Sequence, residues 1–202
     1  EKVFAEAPVL KEPRVIGKWV LWLEQRPKEK GRTTVLIRPW GRKDLIPNEL
    51  TPYPCDLRTK FHGYGGAPLA AAVNGSDLIL IWVDSKDDCL WIRTWSNEDN
   101  KDNSSSFNLL PKNQPTCLSK KHNFFLAGGV IDLKEKIWIG LMEDKEGDHI
   151  VSYSLNKTDQ NPKFIYSSKS LLGYLTINSI DRKLAWIEWK NTSMPWDSNE
   201  LK

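Results

Sequence analysis

The chain has 202 residues, 29 of them basic and 26 acidic for a net charge of +3, with 40% hydrophobic and 10% aromatic side chains. That balance belongs to a globular protein with a buried core rather than to a disordered one. Basic stretches such as residues 26–32 and Lys120-Lys121-His122 are short and flanked by acids or apolar residues, and no apolar run is long enough to span a bilayer, so neither nucleic acid nor a membrane is expected as a partner.

In chain order, Trp19-Val20-Leu21-Trp22-Leu23-Glu24 is an apolar, β-branched and aromatic run ended by an acid; a charged turn at 26–32 and a second run at 33–38 follow, which reads as a β-hairpin. Residues 69–73 are closed by Asn74-Gly75, a hairpin signal because both central residues of a type I′ turn need positive φ. They lead into Leu80-Ile81-Trp82-Val83-Asp84, a turn at 84–88 and a run at 89–93. Residues 96–106 are polar and charged throughout and predict a mobile insertion. Gly129-Val130-Ile131 and Asp132 precede Trp138-Ile139-Gly140-Leu141-Met142-Glu143, a turn at 144–148 and a run at 149–155; Tyr174-Leu175-Thr176-Ile177 precedes a turn at 181–183 and Leu184-Ala185-Trp186-Ile187-Glu188.

The tryptophan-and-acid run therefore recurs four times, with acids at 24, 84, 143 and 188 and steps of 60, 59 and 45 residues, a period of solenoids and propellers. Three or four antiparallel strands per repeat make one propeller blade. No stretch keeps a helical apolar period, and twelve prolines and twelve glycines interrupt any that begins. The expected fold is all-β: a partial β-propeller of about three four-stranded antiparallel blades plus the start of a fourth. Its approximate blades are 14–54, 62–118, 124–168 and 172–202, in one incomplete domain over 1–202.

Catalytic chemistry is hard to find. There is no Gly-x-Ser-x-Gly elbow and no alternation of strands with helices to carry one. His62, His122 and His149 lie far apart without partners at metal-ligand spacing, and the recurring acids read as turn or cap residues. No catalytic residue, cofactor or metal site is expected. The ten tryptophans are expected to fill blade interfaces; a sugar-binding platform would need several exposed together. Cys55, Cys89 and Cys117, odd in number and widely spaced, are expected to be reduced, partly buried small hydrophobes, and the expected location is the cytoplasm.

Specific blocks carry a resemblance. His62-Gly63-Tyr64-Gly65-Gly66-Ala67, the second repeat, Gly129-Val130-Ile131-Asp132, residues 142–147, Phe164-Ile165-Tyr166-Ser167-Ser168, residues 184–189 and Met194-Pro195-Trp196-Asp197 with residues 198–201 occur in an order that resembles the amino-terminal propeller of bacterial prolyl-oligopeptidase-family serine peptidases, in the acylaminoacyl-peptidase-like or dipeptidyl-aminopeptidase-like branch. The chain departs from the family's usual blocks at Gly63 and Ala67, where an acid and a third glycine are common, and at Thr192-Ser193, where His-Pro is common. The resemblance implies a fragment of a longer enzyme, joined to a carboxy-terminal α/β-hydrolase domain that these residues do not include and that holds the catalytic triad.

On that reading the segment is a non-catalytic propeller fragment that caps the hydrolase active site and admits short peptide substrates. His62, Tyr64, Gly65 and Gly66, with Met194, Pro195, Trp196 and Asp197, are candidates for the substrate cavity or the face apposed to the hydrolase domain, or alternatively blade-packing motifs with Tyr64 and Trp196 as core. The rival reading is a self-associating propeller-like binding module for a protein or glycan, with no peptidase domain, that pairs through its open blade edges.

Overall fold

The computed structural model describes residues 6–97, 107 and 109–202. Among them the only helical residues are two single 3-10 turns, Pro27–Glu29 and Phe61–Gly63; the rest is strand, turn and loop. Most of the insertion expected at 96–106 lies outside the described residues.

Four antiparallel sheets follow one another along the chain. The first runs β1 (Val9–Ile16), β2 (Trp19–Arg26), β3 (Arg32–Pro39) and β4 (Asn48–Glu49) in sequence order. The second holds β5 (Leu69–Asn74), β6 (Asp77–Val83), β7 (Leu90–Asn97) and β8 (Leu109–Pro111), with β9 (Thr116–Cys117) also paired to β7. The third is β10 (Phe125–Asp132), β11 (Ile137–Asp144), β12 (Gly147–Ser154) and β13 (Lys163–Ser168); the fourth is β14 (Leu171–Asn178), β15 (Lys183–Trp189) and β16 (Glu200–Leu201). The expectation of only a start to the fourth blade is corrected: β16 returns to pair with β15 at Ile187↔Leu201 and Glu188↔Glu200, so the fourth sheet has three strands. A two-residue strand among polar neighbours carries no periodicity to read.

The chain divides into two compact units, one drawn from residues 1–57, 72–79 and 93–114, the other from 58–71, 80–92 and 115–202. In the first, β2 alternates buried and half-buried residues, and Leu21 and Leu23 join Val35, Ile37 and Leu50 in the core. Arg32 is tied to Glu49 at 2.8 Å and to the carbonyls of Thr51 and Cys55. In the second, Phe61, Ala127, Ile139, Leu141, Ile150 and Leu172 form a buried cluster.

Register reveals a repeat that residue types conceal. The first strand of three sheets carries the same bulge: two residues (12 and 13, 128 and 129, 174 and 175) oppose a single one (Trp22, Gly140, Trp186). The first bulged residue has positive φ each time, at Glu12 (52°), Gly128 (61°) and Tyr174 (57°). Only one of the three is glycine, so the others hold a left-handed conformation at a cost. Because Tyr174 is 74% exposed, Tyr174→Gly trades a left-handed penalty of ~1–2 kcal/mol against a glycine entropy cost of roughly 0.5–1 kcal/mol. A net gain of about 0.5 kcal/mol is expected in urea unfolding.

The bulges also correct the alignment of the acids. Counting from them, Glu24 and Glu188 are equivalent to Met142, not to Glu143. A one-residue offset turns a strand side chain to the other face, so Met142 is buried while Glu143 points where its apparent counterparts do not. The hairpin expected at Asn74-Gly75 is present, but its loop residues are Gly75 and Ser76, with positive φ at Gly75 and not at Ser76. Gly17-Lys18 repeats the pattern between β1 and β2, matching a turn with glycine at its first central position rather than type I′.

Candidate functional site

Within the second unit, residues 58–67 lie against the third sheet. Thr59 Oγ1 donates to the Leu126 carbonyl at 2.6 Å and accepts from the Phe61 amide, while the Phe61 side chain enters the buried cluster. The Gly128 amide donates to the Ala67 carbonyl. A Cβ on Gly65 would sit 3.0 Å from the Thr59 carbonyl oxygen, and one on Gly66 3.0 Å from Ala127 Cβ. Close backbone approach, together with φ of +89° at Gly65, accounts for both glycines as packing residues.

His62 is the centre of the arrangement. Its backbone φ is +54°, and its amide donates to Glu143 Oε2 at 2.5 Å. Its Nε2 lies 2.7 Å from Asp148 Oδ2, with the two side chains only 4% and 2% exposed. Asp148 Oδ2 also accepts from the Leu172 amide at 2.7 Å. Glu143 and Asp148 are directly opposed in the β11–β12 ladder, a like-charge pairing that would repel. The offset of Glu143 therefore places two carboxylates side by side, and His62 supplies a donor to each.

Nδ1 of His62 faces the Tyr64 hydroxyl at 3.4 Å, so a ring protonated on Nε2 donates to Asp148 and is free to accept from Tyr64. The imidazole lies over Phe61 at 3.9 Å and meets Trp189 edge-on at 5.8 Å. Tyr64 itself is 77% exposed. Burial first, then the charges of Tyr174, Asp148 and Glu143, push its phenol up, which places Tyr174 within electrostatic reach of Tyr64.

Met194, Pro195, Trp196 and Asp197 form a separate turn after β15, closed by the Asp197 and Ser198 amides on the Met194 carbonyl. Trp196 is 76% exposed and Met194 also stands in solvent, so neither Trp196 nor Tyr64 belongs to a core. Trp189, the last residue of β15, is the link between the blocks: His62 packs on it, and the 194–197 turn leaves from its end of the strand. Within the His62–Gly66 block the structure thus separates the buried imidazole and two close-packed glycines, Gly65 and Gly66, from one exposed aromatic, Tyr64. It adds Glu143, Asp148 and Tyr174, which sequence reasoning missed; 86 positions separate His62 from Asp148, and no local motif marks such a pair.

The other recurring acids hold neighbouring groups. Glu24 pairs with Arg26 at 2.8 Å, Asp84 accepts from the Lys86 amide and from Trp82 Nε1, and Glu188 accepts from Tyr166 Oη and Ser168 Oγ. Burial pushes the Asp84 carboxyl up, against the hydrogen bonds that favour its ionised form. His149 bridges Ser167 and Asp144, and His122 stacks on Phe124. Among the described residues no group of three His, Cys, Asp or Glu side chains is placed to hold a metal ion, and no helix is long and apolar enough to cross a membrane.

No protein-family profile matches the chain, and no curated protein is detectably similar. Solved structures do match. A puromycin-hydrolyzing peptidase of Mycobacterium tuberculosis superposes with a TM-score of 0.76 at 22% identity, over 98% of this chain and 29% of that one. A puromycin hydrolase matches at a TM-score of 0.74 and 17% identity, and its S511A mutant complexed with PGG at 0.75 and 17%, each over 98% of this chain and 30% of the other. The chain thus spans about three-tenths of their length, and at these identities the likeness is one of fold.

Proposed function

We propose that these residues are the non-catalytic propeller portion of a serine peptidase, capping a hydrolase active site and admitting short peptides to it. The observation that carries the proposal is the fold match over 98% of the chain to part of puromycin-hydrolysing peptidases. It agrees with the resemblance of the Tyr-Gly-Gly and Met-Pro-Trp-Asp blocks to prolyl-oligopeptidase-family propellers. On this reading His62, Glu143 and Asp148 hold the loop that presents Tyr64, while Tyr64 and Trp196 line the route taken by substrate.

Exposed side chains contribute little to folding, so their removal separates the two roles cleanly. In the full-length protein, Tyr64→Ala combined with Trp196→Ala is expected to raise KM about tenfold, the value of ~1.4 kcal/mol of lost contact, with the unfolding midpoint unchanged. A large loss of stability with unaltered kinetics would assign both residues to packing and overturn the proposal.

A further inference from the structure

Cys89 and Cys117 are remote in sequence and adjacent in space. Cys89, 4% exposed, immediately precedes β7, and Cys117, half-buried, ends β9. The β7–β9 ladder pairs Trp91 with Cys117, and the Leu118 amide continues it to the Leu90 carbonyl at 2.8 Å. Alternation then puts residues 89, 91 and 117 on one side of the pair of strands, with the two cysteines as diagonal neighbours. Each thiol acts on the titration of the other. Cys117 Sγ also lies 3.2 Å from the Ser119 carbonyl and Cys89 Sγ 3.9 Å from that of Lys120.

Among the described residues no third metal-ligating side chain completes a site here, and sulfur–sulfur exchange is the chemistry open to two neighbouring thiols.

We propose that Cys89 and Cys117 are an oxidisable dithiol, closed to an intramolecular disulfide by small disulfides such as oxidised glutathione. The more exposed Cys117 thiolate attacks one sulfur of the small disulfide and expels a thiolate, forming a mixed disulfide. Cys89, deprotonated, then attacks Cys117 Sγ and expels the second small thiolate. The two electrons pass from the protein dithiol to the small disulfide, and the two protein protons end on the two released thiols. The product staples the ends of segment 90–116 to each other.

Burial holds the reaction slow at neutral pH. It pushes the Cys89 thiol up and the Cys117 thiol up to about 11, with the charge of nearby Asp87 acting in the same direction on both. Since the thiolate is the nucleophile, closure should quicken about tenfold per pH unit while both thiols remain mainly protonated.

The test incubates the purified protein with oxidised glutathione at about pH 8.5, where thiolate is more abundant, then denatures, alkylates and maps peptides without reduction. Expected are a Cys89–Cys117 cross-linked peptide, an intact mass lower by two hydrogens, an alkylated Cys55, and reversal by dithiothreitol. Cys89→Ser should stall as a glutathione adduct on Cys117. Linkage through Cys55, a persistent glutathione adduct on the unsubstituted protein, or Cys89 and Cys117 both alkylated at completion would overturn the proposal.

Discussion

Gly140→Ala is expected to destabilise the protein by about 3 kcal/mol, at the upper end for overpacking a buried site. A Cβ on Gly140 would lie 2.1 Å from Cζ2 and Cη2 of the Trp138 ring. That ring has nowhere to go. It is 1% exposed, and across it a Cβ on Gly129, at φ +120°, would meet Nε1 at 2.2 Å. Where the first and fourth sheets place Trp22 and Trp186 opposite their bulges, the third places Gly140, and the indole of Trp138 covers it from two residues earlier in the same strand. The slot has glycine on both sides because the large side chain arrives from elsewhere. Urea unfolding should show the midpoint falling with an unchanged slope. Gly140→Ala within 1 kcal/mol of the unsubstituted protein, a margin well below the typical cost of a steric insertion, would mean that Trp138 is free to move.

The second large effect is expected at Asp148. Its carboxylate accepts from His62 Nε2 and from the Leu172 amide, and both it and the imidazole are almost wholly buried. Asp148→Ala strands two buried donors at once, and each unsatisfied polar group costs about 1–3 kcal/mol, so a loss of about 3 kcal/mol is expected in unfolding. Asp148→Asn keeps an acceptor oxygen and should lose less. Since His62 also hangs the Tyr64 loop from the third sheet through its amide and Glu143, Asp148→Ala should raise hydrogen exchange at residues 62–65 before the rest of the second unit opens. Uniform exchange with no local change would separate the pair from the loop.

Much of this architecture was legible because the central strands are strong apolar runs. Trp19 to Glu24, Leu80 to Asp84 and Leu184 to Glu188 fall on or beside β2, β6 and β15, and the partners of the first two follow across charged turns. β1 was not legible: it is mostly exposed and contains Pro13, so burial imposes no pattern on it. The bulge has no sequence signature because geometry repeats there while chemistry does not, with Glu12, Gly128 and Tyr174 in one role. The third acid was misaligned for a related reason, since Trp138 stands nearer the turn than Trp22 or Trp186 and made Glu143 look like their acid. Of the site, Tyr64 and Trp196 could be named from their blocks, whereas Glu143, Asp148 and Tyr174 reach it only through register and the docking of residues 58–67.

The proposed function is that of a gate without a nucleophile, which is open to direct measurement. The purified 202-residue protein, incubated with aminoacyl and acylaminoacyl chromogenic peptides and with a fluorophosphonate label, is expected to give no turnover above buffer and no labelled serine. Hydrolysis by the purified chain that the serine reagent abolishes, with the label mapped to one of its own serines, would contradict the account.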